Sequence, residues 1–303
     1  MPAAAGGQAS SEYVLTLSCP DRVGIVHAVA AYLHQAGCNV LDSQQFGDRI
    51  AGRFFMRVHV EMVPGAVASY ESLRGGFAPV AAGFGMEWEL HDTAVQPRVL
   101  IMVSKAGHCL NDLLYRRAAE SLRIDVPLVV GNHPDLAPLA AAHGVPFEHV
   151  PAGPASASTD ATDPLGRHRS EGRLLDLVSE LGIDFVVLAR YMRILSPELC
   201  AKMTGRIINI HHSFLPSFKG ARPYHQAHAH GVKLIGATAH YVTADLDEGP
   251  IIEQEVARVD HSDSPEDLVA IGRDAERVAL ARAVRWHAEH RVLLHGRRTV
   301  IFR

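Results

Sequence analysis

From Arg98 onward the chain alternates short apolar, β-branched runs with stretches of helical spacing, and this alternation restricts the possible folds more than any other feature. Strands are expected at Val99–Val103, Val126–Val130, Phe147–Val150, Phe185–Leu188, Arg206–Ile210, Leu234–Val242 and Ile251–Val259. Helical patterns cover Cys109–Ser121, Leu136–His143, Glu171–Leu181 and Pro223–His230, with a closing helix over Pro265–Arg291. Parallel neighbours need a long crossover, usually a helix. Repeated βα units therefore imply a mainly parallel sheet covered by helices, a Rossmann-like architecture. Ligands of such sheets bind beyond the carboxyl ends of the strands. Pro151–Asp163, rich in Ala, Ser, Thr and Pro, reads as a surface loop.

The residues before Arg98 follow another grammar. Tyr13–Cys19 is a β-rich run, Pro20–Gly24 a turn, and Ile25–Ala36 a helix ended by Gly37. Asn39–Phe46 and Gly52–Val63 read as strands, the second alternating Phe54, Met56, Val58 and Val60 against Phe55, Arg57, His59 and Glu61. A helix over Val67–Ala82, its pattern broken by Gly75 and Gly76, precedes a strand at Met86–His91. The order βαββαβ is a ferredoxin-like unit. With Thr93–Pro97 as a linker, two domains are expected, at 12–92 and 98–303.

Composition narrows the function classes. Of 303 residues 48% are hydrophobic and 20% charged, as in ordinary globular proteins. The net charge of -4 supplies no basic field for nucleic acid or a membrane surface. The four cysteines, Cys19, Cys38, Cys109 and Cys200, are scattered without a CxxC, which fits free thiols in a reducing cytoplasm. Met1–Ser11 has neither a basic nor an apolar signal-peptide region and reads as a disordered tail. No apolar run reaches the ~18 residues of a spanning helix. A cytoplasmic protein without membrane or nucleic-acid partners is the expectation.

The chemistry gathers at Arg206–Arg222, where a β-branched run turns abruptly into Asn209, Ile210, His211, His212 and Ser213. Polar groups at the end of an apolar strand are costly to bury without partners. Asn209 and His211, two residues apart, face one side of a strand, and His212 faces the other. A second segment, Arg190–Pro197, follows a buried strand; a third, Gly236–Pro250, carries His240 on a strand and Asp247 in an acidic loop. An imidazole beside a carboxylate is a tunable acid–base unit, and a neighbouring amide can donate to an oxyanion. The set suits attack on a carbonyl carbon. Ser104–Asp112, after the first strand of this part, matches neither GxGxxG nor GxxxxGK[ST], so a nucleotide site there is not expected. His225, His228 and His230 lie close in sequence, but on a helix the third points away from the first two, and no metal is expected.

Two resemblances add to these readings. Asp21–Val26 and Gly37–Val40 are similar to an ACT domain over about residues 12–92. The resemblance implies an amino-acid effector near the strand-to-helix turn, with Asp21, Gly24 and Asn39 as candidates, or a module that only assembles a homo-oligomer. Asn209–His211, Ser213–Pro216 and Leu246–Pro250, with Met192–Ser196, resemble the formyltransferase-fold family that uses 10-formyltetrahydrofolate, over residue 98 to about 300. That resemblance implies Asn209, His211 and Asp247 as catalytic residues. It implies Met192, Arg193, Ile194, Leu195, His240 and Gly249 as substrate-binding residues. The substrate is then the folate itself, and no cofactor is needed. The family's amine-formylating members carry a Gly-rich phosphate loop where Ser104–Cys109 stands. An ACT module before such a domain, with His211–Ser213 and Gly220–Gln226, resembles the formyltetrahydrofolate deformylase family. That implies hydrolysis of 10-formyltetrahydrofolate to tetrahydrofolate and formate, which feeds purine biosynthesis and balances one-carbon pools. Protonated His211 and Asn209 would hold the oxyanion, with Asp247 supporting the imidazole. Formyl transfer to an amine is the alternative.

Overall fold

The computed structural model describes residues 11–63, 69–151, 164–215 and 223–303. Four expected features lie wholly or largely outside these residues: the N-terminal tail, the first residues of the second helix, the Pro151–Asp163 loop, and Pro216–Arg222. The chain divides into two compact units. The first comprises Met1–Val95 with Glu289–Leu293 and Val300–Arg303, and the second Gln96–Ala288 with Leu294–Thr299.

The first unit runs β1 (Glu12–Pro20), α1 (Ile25–Gln35), β2 (Cys38–Asp48), β3 (Arg53–Met62), α2 (Tyr70–Phe84) and β4 (Glu87–Asp92). Its sheet has the order β2-β3-β1-β4, and its three strand pairings are antiparallel. Leu15, Leu17, Val58 and Val60 turn one face toward Val29, Leu33, Leu73 and Phe77 of the helices. Helix α2 begins at a Ser69–Ser72 capping box and continues through the two glycines read as a break. At Gly76 a Cβ would meet the Tyr32 ring, 2.6 Å from its hydroxyl oxygen, so the missing side chain serves packing between the helices. The other sheet face is covered by the returning C-terminal residues. Phe55 packs with Val300 and Phe302. Arg57, which alternation assigns to a polar face, is 3% exposed. Its guanidinium donates to the carbonyls of Glu289, at 3.1 Å, and His290, at 3.2 Å. A domain spanning 98–303 without interruption leaves out this return.

The second unit contains β5 (Arg98–Val103), α3 (His108–Ala118), β6 (Asp125–Gly131), α4 (Ala137–Ala142), β7 (Phe147–His149), α5 (Pro164–Glu180) and β8 (Phe185–Leu188). It continues with α6 (Pro197–Lys202), β9 (Ile207–His211), α7 (Pro223–Ala229), β10 (Leu234–Tyr241), β11 (Ile251–Arg258) and α8 (Pro265–Ala288). The closing helix stops at Ala288, short of the expected Arg291, and a short hairpin, β12 (Val292–His295) with β13 (Arg298–Ile301), follows it. The sheet order is β11-β10-β9-β8-β5-β6-β7. The pairings from β9 through β8 and β5 to β7 are parallel, while β10 and β11 are antiparallel. Strand order reverses between β5 and β8, so their carboxyl ends flank the topological switch point where α/β sheets bind ligands. Helix α6 was not expected from the pattern. It is set by Ser196, whose hydroxyl accepts from the Leu199 amide, and by Pro197 in its first turn.

Candidate active site

Register brings the polar residues of β9 and β10 together. Antiparallel pairing sets Asn209 opposite His240 and His211 opposite Thr238, and directly opposed residues share a face. The His240 Nδ1 lies 2.9 Å from the Tyr241 carbonyl oxygen, so this nitrogen carries the proton and Nε2 is the acceptor. The Asn209 amide donates to that Nε2 over 3.2 Å. His240 thereby fixes which way the amide points and leaves its second N–H free. Burial lowers the His240 pKa, and the ring is neutral near pH 7.

Asp247 reaches this face from the loop after β10. Its Oδ2 lies 3.3 Å from His211 Nδ1 and its Oδ1 3.9 Å from His240 Nε2. Burial acts to raise the Asp247 carboxyl, but the hydrogen bond and charge of His211 hold it below the ordinary carboxylate range. The other nitrogen of His211 is 2.8 Å from the hydroxyl of buried Ser213. The loop returns because Gly249 has no side chain: a Cβ there would overlap the carbonyl carbon and oxygen of Tyr241. Tyr241 in turn donates its amide to the Pro250 carbonyl at 2.9 Å. Gly249 thus makes a close backbone approach that carries Asp247 to His211. An oriented amide, an imidazole and an ionised carboxylate on one partly buried face can stabilise a tetrahedral oxyanion and move protons.

Of the segment after β8, Met192 and Ile194 are exposed apolar side chains and Arg193 is half-buried. Leu195 instead joins the core beside Leu199 and Met203, so any contact with substrate falls to its backbone. The Met192 amide donates to Ser104 at the end of β5, over 2.9 Å, which ties the segment across the switch point.

Behind His212 lies a buried cluster that the sequence patterns do not reveal as a unit. The Glu276 carboxylate, 1% exposed, accepts from His108 Nε2 at 2.8 Å and the Tyr224 hydroxyl at 2.9 Å, with Arg190 Nε at 3.4 Å. Burial works to raise the Glu276 pKa, but His108, Arg190 and Tyr224 lower it overall, so the group is an anion. The available signal was a glutamate on the buried stripe of α8 with Leu268, Gly272, Ala279 and Ala283. Glu276, His108 and Cys109 have ligand-type atoms within 4.8 Å of one another. The set suits a cation poorly. Burial and Glu276 push the Cys109 thiol far above its ordinary range, and the Arg190 guanidinium already sits on the carboxylate. His225, His228 and His230 are exposed and do not enter such a group among the described residues. His212, lowered to about 4 by burial, Arg190 and His211, is neutral and points toward this cluster.

In the first unit the effector candidates separate. Gly24 caps α1 in the left-handed region at φ 97, a conformation that favours glycine. The Asp21 carboxylate lies beside Gly47, near the far end of β2. Asn39 stands at the start of β2 and donates to Glu61. Eight residues of extended chain separate Asn39 from Gly47, about 26 Å at about 3.3 Å each. One copy of the unit therefore does not gather the three residues.

Comparison with known proteins agrees with this architecture. The formyl transferase family model matches residues 97–284, and the ACT domain model matches residues 13–74. A formyltetrahydrofolate deformylase of Corynebacterium sp. is 50% identical over 293 residues, covering 96% of this chain and 98% of that protein. The solved structure of a formyltetrahydrofolate deformylase from Burkholderia mallei superposes with a TM-score of 0.88 at 52% identity, covering 97% of this chain and 100% of that one. A glycinamide ribonucleotide transformylase from Symbiobacterium toebii is similar over only 71% of this chain, with a TM-score of 0.62 and 31% identity.

Proposed function

The chain belongs to the formyltetrahydrofolate deformylase family, and on that premise we propose that Asn209, His211 and Asp247 carry the hydrolysis. The enzyme cleaves 10-formyltetrahydrofolate to tetrahydrofolate and formate. Water attacks the formyl carbon, the bond to N10 breaks, N10 takes up a proton, and formate leaves. The free N–H of Asn209 and the Nε2–H of His211, which leaves the Ser213 hydroxyl when substrate binds, donate to the developing oxyanion, each donor being worth about 10²–10³ in rate. Asp247 holds His211 through its Nδ1 and accepts a proton from the attacking water. His240 acts through Asn209 as a positioning residue. The observation that carries this reading is the convergence of Asp247 on His211 at 3.3 Å, on the face that also bears the oriented Asn209 amide.

The pterin lies against exposed Met192 and Ile194, with Arg193 and the backbone of Leu195 beside it. No cofactor takes part, and the reaction supplies formate for purine synthesis in the cytoplasm. In the described residues no helix is long and apolar enough to cross a membrane. The ACT unit binds an amino acid, and because Asp21 and Gly24 lie far from Asn39 in one chain, a complete effector site uses residues of two copies in a homo-oligomer. Formate release with 10-formyltetrahydrofolate alone tests the chemistry: a folded His211→Ala variant of undiminished rate refutes the assigned roles. Calorimetric titration with glycine or methionine tests the effector; absence of binding to the full chain removes it.

A further inference from the structure

On the deformylase reading, we propose that the buried cluster of Glu276, His108, Arg190, Tyr224 and His212 is the acceptor wall of the active site, closing the space beside the formyl centre to amines and leaving room for water. The cluster draws on the start of α3, the residue after β8, α7, the residue after β9, and α8. It therefore spans the carboxyl ends of β5 and β8, the crevice through which a second reactant reaches Asn209 and His211. Contact with the centre is direct. The His212 ring meets the His211 ring edge-on at 4.9 Å between centroids, and the Tyr224 ring at 6.4 Å.

The wall is rigid for an electrostatic reason. Glu276 has donors on both carboxylate oxygens, and a buried anion that loses a partner is strongly destabilised. An incoming amine cannot cheaply push Tyr224 or His108 aside. Nor does the wall welcome a cationic amine, because its carboxylate is already engaged and Arg190 brings a positive charge of its own. Water is treated differently. Arg190 Nε and His212 Nδ1 are buried and have no hydrogen-bond partner among the described residues. Buried polar atoms of this kind are ordinarily satisfied by ordered water; His212 adjoins His211 directly, and Arg190 Nε lies 3.4 Å from Glu276 in the same cluster.

With an amine the chemistry would differ only in the nucleophile. The amine nitrogen would attack the formyl carbon and lose one proton as N10 gains one, giving a formylated amine and tetrahydrofolate. The full-length protein is incubated with 10-formyltetrahydrofolate and glycinamide as the amine probe, and formate and N-formylglycinamide are quantified by NMR against an enzyme-free control. The parent should yield formate alone. His108→Gly and Tyr224→Leu should raise the formylglycinamide fraction to at least ten times the detection limit that bounds the parent. His108 is 17% exposed, so its replacement keeps the test independent of whether the Tyr224 variant folds. Folded variants that hydrolyse yet release only formate overturn the proposal, as does a parent that formylates glycinamide equally well. A parent that releases no formate without amine instead refutes the deformylase reading.

Discussion

Replacing Gly249 with alanine separates the geometry of the Asp247 loop from its chemistry, because no group of the catalytic face is removed. The new Cβ would overlap the Tyr241 carbonyl, a backbone group that cannot rotate away, and would stand 3.3 Å from His240 Nδ1. Relief requires the loop to lift by about 1 Å, the scale at which misplaced catalytic groups lose about 10² in rate. Asp247 moves with it, two residues away and already at φ 57. Lengthening the 3.3 Å contact with His211 by that amount weakens the pair by about 1 kcal/mol at an effective dielectric of about 20. Loss of the charge-assisted hydrogen bond adds about 1.5–3 kcal/mol. The sum, about 3 kcal/mol, corresponds to about 100-fold in kcat. KM for the folate should change little, since Met192 and Ile194 are held from β8 and β5. The assay is initial-rate formate release, with thermal melting to establish the fold. A folded Gly249→Ala enzyme with parental kcat refutes the claim that this close approach positions Asp247.

Other consequences can be measured independently. Asn209→Ala and Asp247→Ala should each lower kcat by about 10²–10³ with the melting temperature nearly unchanged, and His240→Phe should reproduce part of the Asn209 loss by freeing its amide. The depressed His212 pKa makes stability pH-dependent: the unfolded ring, with its ordinary value of 6.5, binds a proton that the folded ring refuses until about 4. Stability is therefore complete above the unfolded value and falls as pH drops through that window, by about 2 kcal/mol between about pH 7.5 and pH 5. Urea unfolding of His212→Phe should show a correspondingly shallower pH dependence. Arg57→Ala should destabilise the first unit by about 2–4 kcal/mol, since two partly buried carbonyls lose a charged donor. Limited proteolysis should then cut the C-terminal residues sooner than in the parent.

Periodicity alone determined much of this protein. The βα alternation after Arg98 required a mainly parallel sheet, and the βαββαβ order required a small antiparallel one, because each apolar pattern records which face of an element must leave water. The two-residue spacing of Asn209 and His211 set them on one face and His212 on the other for the same reason. Motif order, read as a resemblance, marked Asp247 as their partner. The tertiary structure decided whether these groups meet. The pairing of Asn209 with His240 depends on the register of β9 against β10, which no local pattern encodes. Asp247 arrives only because a side-chain-free Gly249 allows two stretches of backbone to touch. Arg57 and Glu276 stand at positions where alternation or helical spacing predicts solvent or plain core, yet each is buried among partners distant in sequence: carbonyls of residues 289 and 290 for one, His108, Arg190 and Tyr224 for the other. Apolar burial is roughly additive and leaves its trace residue by residue. A buried charge is tolerated only through specific long-range partners, and those exist once the chain has folded.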